Sequence, residues 1–486
     1  LRLTARLRPT AGQHHIVGMT GDPQPTPFRP STAIDEVADF LADPVEAADF
    51  PRTILRFRND RAATQVGLAD LTDAAWTAHF GRFLPLEGSL HRPLALRYHG
   101  HQFRAYNPDI GDGRGFLFAQ MIDDRDRLLD LGTKGSGQTP YSRFGDGRLT
   151  LKGGMREILA TEMLEALGVR TSRTFSLIET GEALHRGDEP SPTRSSVLVR
   201  MSHSHVRIGS VQRLATLGLT DEITRLARYA LRHLFGEKPG DTPELRLLEL
   251  VVAGTARLAA SYMAAGFVHG VLNTDNINVT AESFDYGPWR FTPHWDMGFT
   301  AAYFDHQGLY AFGRQAHAIH WNVVQLAIAL SKVQPVEALA PILDTFPALY
   351  ERAISDAMLA RLGVTTADEQ ADLALVQAIE AALTPGEVTI DRFFFDWAGG
   401  RRRGASPADA AYDAPAFVEL AGLLEGRTPS GPLDHPHWTD ANPCSMHIEE
   451  VEEIWSHIDR DDDWGQLNAK VAAIRRMGEA LARLRG

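Results

Sequence analysis

The sequence predicts an α+β chain in two lobes, a small mixed β/α lobe followed by a larger, mainly helical one. Three observations carry that expectation. Short apolar runs alternate with glycine-rich turns between about Pro51 and Thr180, as strands joined by tight turns do. Beyond about Arg213 the apolar spacing turns helical. Within the helical regime, a long apolar-striped stretch runs out at Gly266, just ahead of a polar loop. At 486 residues the chain has room for two lobes with additions.

Taken in order, residues 1–50 are rich in Pro, Thr and Asp and are expected as an N-terminal arm, partly extended or loosely helical. The first twenty hold several Arg and no acid. That reads either as a transit segment or, the preferred reading, as a chain whose true start is Met19 or whose upstream sequence is missing. The small lobe is expected over 51–195. Gly115–Met121 and Arg127–Leu131 look like neighbouring strands joined at Asp123-Asp124. A helix is expected after Gly153-Gly154, with Met155, Ile158, Leu159, Met163 and Leu167 on its apolar face and Gly168 as its stop. The helical lobe is expected over 196–425. Thr242-Pro243 opens its long helix, and Leu247, Leu248, Val251, Val252, Leu258 and Met263 form one stripe. Further helices are expected over 316–330, 336–362 and 369–383. A divergent helical tail occupies 426–486, with an amphipathic segment at 448–484.

The loop His269-Gly270-Val271-Leu272-Asn273-Thr274-Asp275-Asn276, followed by Asp285-Tyr286-Gly287, carries the most chemistry. A protein-kinase catalytic loop holds a carboxylate that accepts a hydroxyl proton and, a few residues on, an Asn that binds Mg²⁺. An Asp-aromatic-Gly segment supplies the second metal ligand. On that frame Asn276 and Asp285 are the metal ligands, and the fold is protein-kinase-like. The position of the kinase base is Val271, which cannot take a proton, and Asp275 is the only carboxylate in the loop. Lys134, in the run Gly132–Gly137 after a strand, and Glu157, in the first turn of the next helix, match the lysine and glutamate that pair in a kinase small lobe. Each motif alone is equally an ordinary surface turn; their order and spacing favour a site. Gly111-Asp112-Gly113-Arg114-Gly115, Asp146-Gly147-Arg148, and the pair Arg200 and Arg207 read by themselves as turns and surface charge. His435, His437, Cys444 and His447 have metal-binding side chains at a spacing that fits no zinc pattern.

Composition narrows the classes. A formal charge of −13 argues against nucleic acid or an anionic membrane as the main partner, while leaving room for a local basic pocket. No apolar run stands out as a bilayer span of about 20 residues. One cysteine, Cys444, excludes an intramolecular disulfide and suits a cytoplasmic setting.

Lys134–Arg143, Asp146-Gly147-Arg148, Met155-Arg156-Glu157, His269–Asn276 and Asp285-Tyr286-Gly287-Pro288 together resemble the selenoprotein O family, over about Tyr98 to Gln315. The resemblance implies a kinase fold that binds ATP in a flipped orientation and transfers AMP to protein Ser, Thr or Tyr hydroxyls. It implies Asp275 as proton acceptor, with Asn276 and Asp285 holding Mg²⁺ (Mn²⁺ as the alternative). Lys134, paired with Glu157, contacts phosphate, and Gly111, Gly113, Arg114, Asp146, Gly147, Arg200 and Arg207 line the nucleotide site. ATP and protein substrates are the expected partners. The chain departs from the family at Leu151-Lys152-Gly153-Gly154, where relatives read Leu-Arg-Ser-Ser, at Leu309, where they carry Arg, and in lacking their cysteine or selenocysteine tail. Two other functions remain open on residues alone: a phosphotransferase acting on a small molecule or protein, and a nucleotide-binding scaffold without catalysis.

Overall fold

The computed structural model describes residues 26–143, 146–187 and 190–485; the arginine-rich start and Met19 lie outside them. The small lobe is built on one antiparallel sheet. Its strands begin with β1 (Pro30–Ser31), β2 (Ala42–Pro44), β3 (Ile54–Arg58) and β4 (Leu94–Leu96). A separate hairpin, β5 (Gly100–Gln102) and β6 (Ala105–Asn107), comes next. The sheet resumes with β7 (Leu117–Ile122), β8 (Leu128–Lys134), β9 (Leu149–Thr150), β10 (Arg173–Leu184) and β11 (Thr193–Ser202). The spatial order is β2-β4-β7-β8-β11-β10-β3, which puts β8 and β11 in the middle. Their register sets Leu198 opposite Lys134 and Arg200 opposite Gly132. Side chains alternate along a strand, so Lys134 and position 132 share a face with Arg200.

The stretch expected as a loose arm is part of this lobe over its described residues. β1 pairs with β7 and β2 with β4, and Ile34, Val37, Phe40 and Leu41 are buried. Their apolar side chains, diluted by Pro and Asp in sequence, are what seat the segment on the sheet. The helix expected after Gly153-Gly154 instead begins at Leu151 and runs to Ala166, with the Thr150 hydroxyl accepting from the Gly153 amide as its N-cap. Gly154 is inside it because the helix lies tight on the sheet. A Cβ there would stand 2.3 Å from Leu177 Cδ1. Glu157 consequently falls in the second turn, not the first.

In the larger lobe the long helix spans Pro243–Ala265 and ends on Gly266, whose left-handed φ of 67° suits a residue without Cβ. By length and composition this helix is apolar enough to cross a bilayer, a candidate the sequence reading passed over. Most of it is buried in the centre of the protein. Gln315–Leu330 and Glu369–Leu383 are helices as expected. The expected helix over 336–362 is two, Val336–Leu343 and Phe346–Leu362, because Pro347 suits a first turn and has no N–H for an interior one. The tail segment likewise splits into Ile448–Asp461 and Gly465–Arg485 at Asp462, whose φ is 52°. The helix Gly465–Arg485 packs on Leu151–Ala166 of the small lobe and also on Phe346–Leu362 of the large one.

Candidate active site

The cleft between the lobes is floored by the loop that follows the long helix. His269 is buried; its amide donates to Gln315 Oε1 at 3.0 Å, and its Nε2 lies 3.1 Å from the Phe284 carbonyl. Burial keeps the ring neutral, so Nε2–H is the donor and ties the loop to the segment carrying Asp285. Asn276 donates from Nδ2 to the Val271 carbonyl at 2.9 Å, which fixes how its amide oxygen points. Between Asn276 and Asp285 the chain forms no hairpin of its own. Asn278 bridges to Arg207 and Ser283 to Thr171, so both lobes hold it.

Asp275 is buried, and its Oδ1 has no hydrogen-bond partner. Burial pushes its carboxyl up to about 6, against the pull of Arg207. The hairpin β5–β6 covers it. The His101 amide donates to Thr274 Oγ1 at 2.7 Å and the Phe103 amide to Asn273 Oδ1 at 3.0 Å. Gly100 lies against the carboxylate, with its hypothetical Cβ 3.1 Å from Oδ1. Phe103 and Arg104 both adopt positive φ at the hairpin tip, a strained turn for two residues with side chains.

Asp285 is also in the left-handed region, at φ 64°. Three cations converge on it: Lys134 Nζ at 3.1 Å and Arg200 Nη1 at 3.2 Å from Oδ1, and Arg207 Nη1 at 3.8 Å from Oδ2. Desolvation would raise its carboxyl, yet Lys134, Arg200 and Arg207 hold it well below the usual carboxylate range. Lys134 also pairs with Glu157, whose second oxygen is buried without a partner. Arg207 is buried, donates to the Asp275 carbonyl at 3.0 Å and stacks on Tyr98 and Phe284, 4.2 and 4.9 Å from the ring centres.

Gly111, Gly113, Arg114, Lys134, Asp146, Gly147, Arg200, Arg207 and Asp285 all line one cavity of about 720 Å³. Asp275, Asn276 and Glu157 are not on its wall. Glu157 stands behind Lys134, and Asp275 is joined to the cavity through Arg207. The glycines are spatial necessities: a Cβ at Gly111 would meet the Tyr141 ring at 2.5 Å, and Gly147 takes φ 74°. Among the described lining residues, seven cationic side chains face three carboxylates, so the cavity is basic in a protein of charge −13. Sequence reasoning missed Tyr98, which nothing in its surroundings marked, and Arg186. It passed over Arg143 although Tyr141-Ser142-Arg143 stood inside a quoted motif.

A hard divalent cation suits this donor set. Asn276 offers an oriented amide oxygen and Asp285 a carboxylate held ionised, and Mg²⁺ is ordinarily bound by one or two such groups plus nucleotide phosphates. Among the described residues no cluster of three or more His, Cys, Asp or Glu forms an all-protein cage. His435, His437 and His447 each face a different carboxylate, Glu479, Asp440 and Asp391.

Comparison with known proteins agrees with this geometry. The family profile described as protein adenylyltransferase SelO matches residues 28–410. A protein nucleotidyltransferase YdiU of Synechocystis sp. is 40% identical over 467 residues, covering 91% of this chain and 97% of the relative. One from Gloeobacter violaceus is 43% identical, covering 91% and 94%. The similarity therefore reaches well beyond Tyr98–Gln315. A rhoptry antigen kinase domain of Toxoplasma gondii shows 11% identity and a TM-score of 0.28, covering 61% of this chain and 85% of that one, too slight a likeness to bear on anything further.

Proposed function

The chain belongs to the protein adenylyltransferase SelO family and is a nucleotidyltransferase; from that premise we propose that it transfers AMP from ATP to Ser, Thr or Tyr hydroxyls of proteins, with the nucleotide lying reversed in the cleft. The observation that carries the reading is the inner end of the cavity. Where β11 leads into the larger lobe, the wall is made by Arg200, Arg207 and Lys134 rather than by an apolar slot for a purine. Buried guanidinium groups there suit a polyphosphate tail. Asp285 balances them only in part, and phosphate oxygens, unlike a neutral base, offer their remaining N–H groups charged acceptors.

With the tail inward, the α-phosphorus faces the loop that holds Asp275. The acceptor oxygen attacks that phosphorus, the bond from phosphorus to the bridging α–β oxygen breaks, and pyrophosphate leaves with the bonding pair. Asp275 takes the hydroxyl proton: its carboxylate is buried, short of hydrogen bonds and more basic than an ordinary Asp. Lys134, Arg200 and Arg207 neutralise the departing charge, a role in which removal of one donor typically costs about 3–4 kcal/mol. Asn276 and Asp285 would hold Mg²⁺, or Mn²⁺ in its place, which when bound supplies further neutralisation of phosphate oxygens and alignment. Val271 leaves the usual kinase base position without a proton acceptor, which weighs against phosphate transfer.

The test is isotopic. The protein incubated with Mg²⁺, a mixed protein acceptor and α-³²P-ATP is expected to label the acceptor, while γ-³²P-ATP leaves it unlabelled. Label from the γ-position alone would replace this reading with a phosphotransferase.

A further inference from the structure

One arginine of the cavity is aimed by a buried chain of polar groups that the reaction does not otherwise use. Arg200 Nε donates to His205 Nε2 at 3.1 Å, and its Nη1 reaches Asp285 at 3.2 Å. A guanidinium only donates, so Nε2 must be the accepting nitrogen and the proton must sit on Nδ1. That Nδ1 lies 3.2 Å from Asp130 Oδ2. Asp130 Oδ1 in turn accepts from Gln120 Nε2 at 2.7 Å, and the Gln120 amide cannot turn round because its Oε1 accepts from the Ile34 amide at 2.8 Å. Gln120, Asp130, His205 and Arg200 are all at most 5% exposed. Burial also keeps the imidazole neutral. The sheet is shaped for the ring as well: a Cβ on Gly132 would stand 2.2 Å from His205 Nε2.

We propose that Asp130 and His205 are positioning residues for Arg200, locking its guanidinium in the orientation that receives the leaving pyrophosphate, with Gln120 setting the direction of the whole chain. The proposal rests on the reading of Arg200 as a polyphosphate ligand. It adds that one tautomer of one histidine decides whether that ligand is aimed.

Asp130→Asn tests it with no change of shape. Gln120 keeps the new amide oxygen facing itself, so the amide nitrogen faces His205 Nδ1. The ring must then carry its proton on Nε2, directly opposite the N–H of Arg200. Gln120→Glu combined with Asp130→Asn exchanges the two groups, preserves charge and volume, and turns the amide oxygen back toward His205. Inhibition by inorganic pyrophosphate and by AMP is read against binding of a fluorescent ATP analogue, alongside α-³²P incorporation. In Asp130→Asn, pyrophosphate affinity and turnover are expected to fall roughly tenfold to a hundredfold, the range for groups that orient a ligating residue. AMP affinity should stay near wild type, and the double variant should regain most of the loss.

Wild-type pyrophosphate affinity in Asp130→Asn, an equal loss for AMP, or no recovery in a double variant that melts like wild type would overturn the proposal. Should Asp130→Asn not fold, the ¹⁵N-histidine spectrum of the wild type decides instead. It must contain a neutral imidazole protonated on Nδ1 whose signal is lost in His205→Gln, and a spectrum without one refutes the proposal. Failure of the adenylylation reading looks different: the wild type would incorporate no α-label, while pyrophosphate competition would still report how Arg200 is aimed.

Discussion

Lys134 is shared by two carboxylates, Glu157 in the helix behind it and Asp285 in the floor of the cleft. Taking the ammonium away leaves Glu157 buried with no counter-charge and Asp285 with two cations instead of three. Lys134→Ala is therefore expected to destabilise the protein by about 3 kcal/mol. It should also lower AMP transfer roughly a hundredfold or more, since a charge-stabilising donor is lost. Chemical denaturation and α-³²P labelling measure the two effects separately. Asp275→Ala is expected to behave differently: nucleotide binding by calorimetry stays close to wild type while transfer is lost, because the side chain is off the cavity wall. Retained transfer in Asp275→Ala would remove it as the proton acceptor. Lys134, Glu157, Asp275 and Asp285 were legible in the sequence because each lies in a short motif at a telling distance from the others. Arg200 and Arg207 read by themselves as surface charge. What makes them part of the cavity is the β8–β11 register and the stacking on Tyr98 and Phe284, which no local pattern announces.

Secondary structure was easiest to read where apolar spacing was long and uninterrupted, as in Pro243–Ala265, and hardest where a single residue breaks a pattern. Pro347 and Asp462 each divide a stretch whose periodicity looked continuous. The helix expected after Gly153-Gly154 already contains the pair, because Gly154 is where it presses on the sheet. That helix, Leu151–Ala166, carries Glu157 and is braced from outside. Arg475 of the terminal helix makes a two-pronged contact with Glu162, at 2.6 and 2.8 Å, and Arg485 donates to the Ala166 carbonyl at 2.8 Å. Glu162 is 4% exposed, so Arg475→Ala strands a carboxylate and should cost about 2 kcal/mol in denaturant titrations. Turnover should fall only a few-fold, since Glu157 remains paired. A variant as stable as wild type would mean that the brace contributes nothing.

Over the whole molecule, the excess of acid lies outside the cleft, and the cations that matter are gathered in one cavity, a separation the overall composition could only permit. The tail joins the body through His447, which faces Asp391 at 3.5 Å. Asp391 raises the imidazole above its ordinary value. A group that holds its proton more tightly when folded contributes stability that is complete below about pH 6.5 and disappears as pH climbs through the raised value. The difference in melting temperature between wild type and His447→Gln should accordingly be largest below pH 6.5 and shrink toward pH 8.5; a difference that is flat or grows would contradict the pairing. The sequence placed a helical tail here but offered no sign of its contacts, some of which join residues about three hundred positions apart, as in Arg475 with Glu162. Those contacts bear on traffic through the cleft. The last helix rests on both lobes at once, like a splint laid across a joint, so that spreading the cleft wide would have to break its contacts with one lobe or the other.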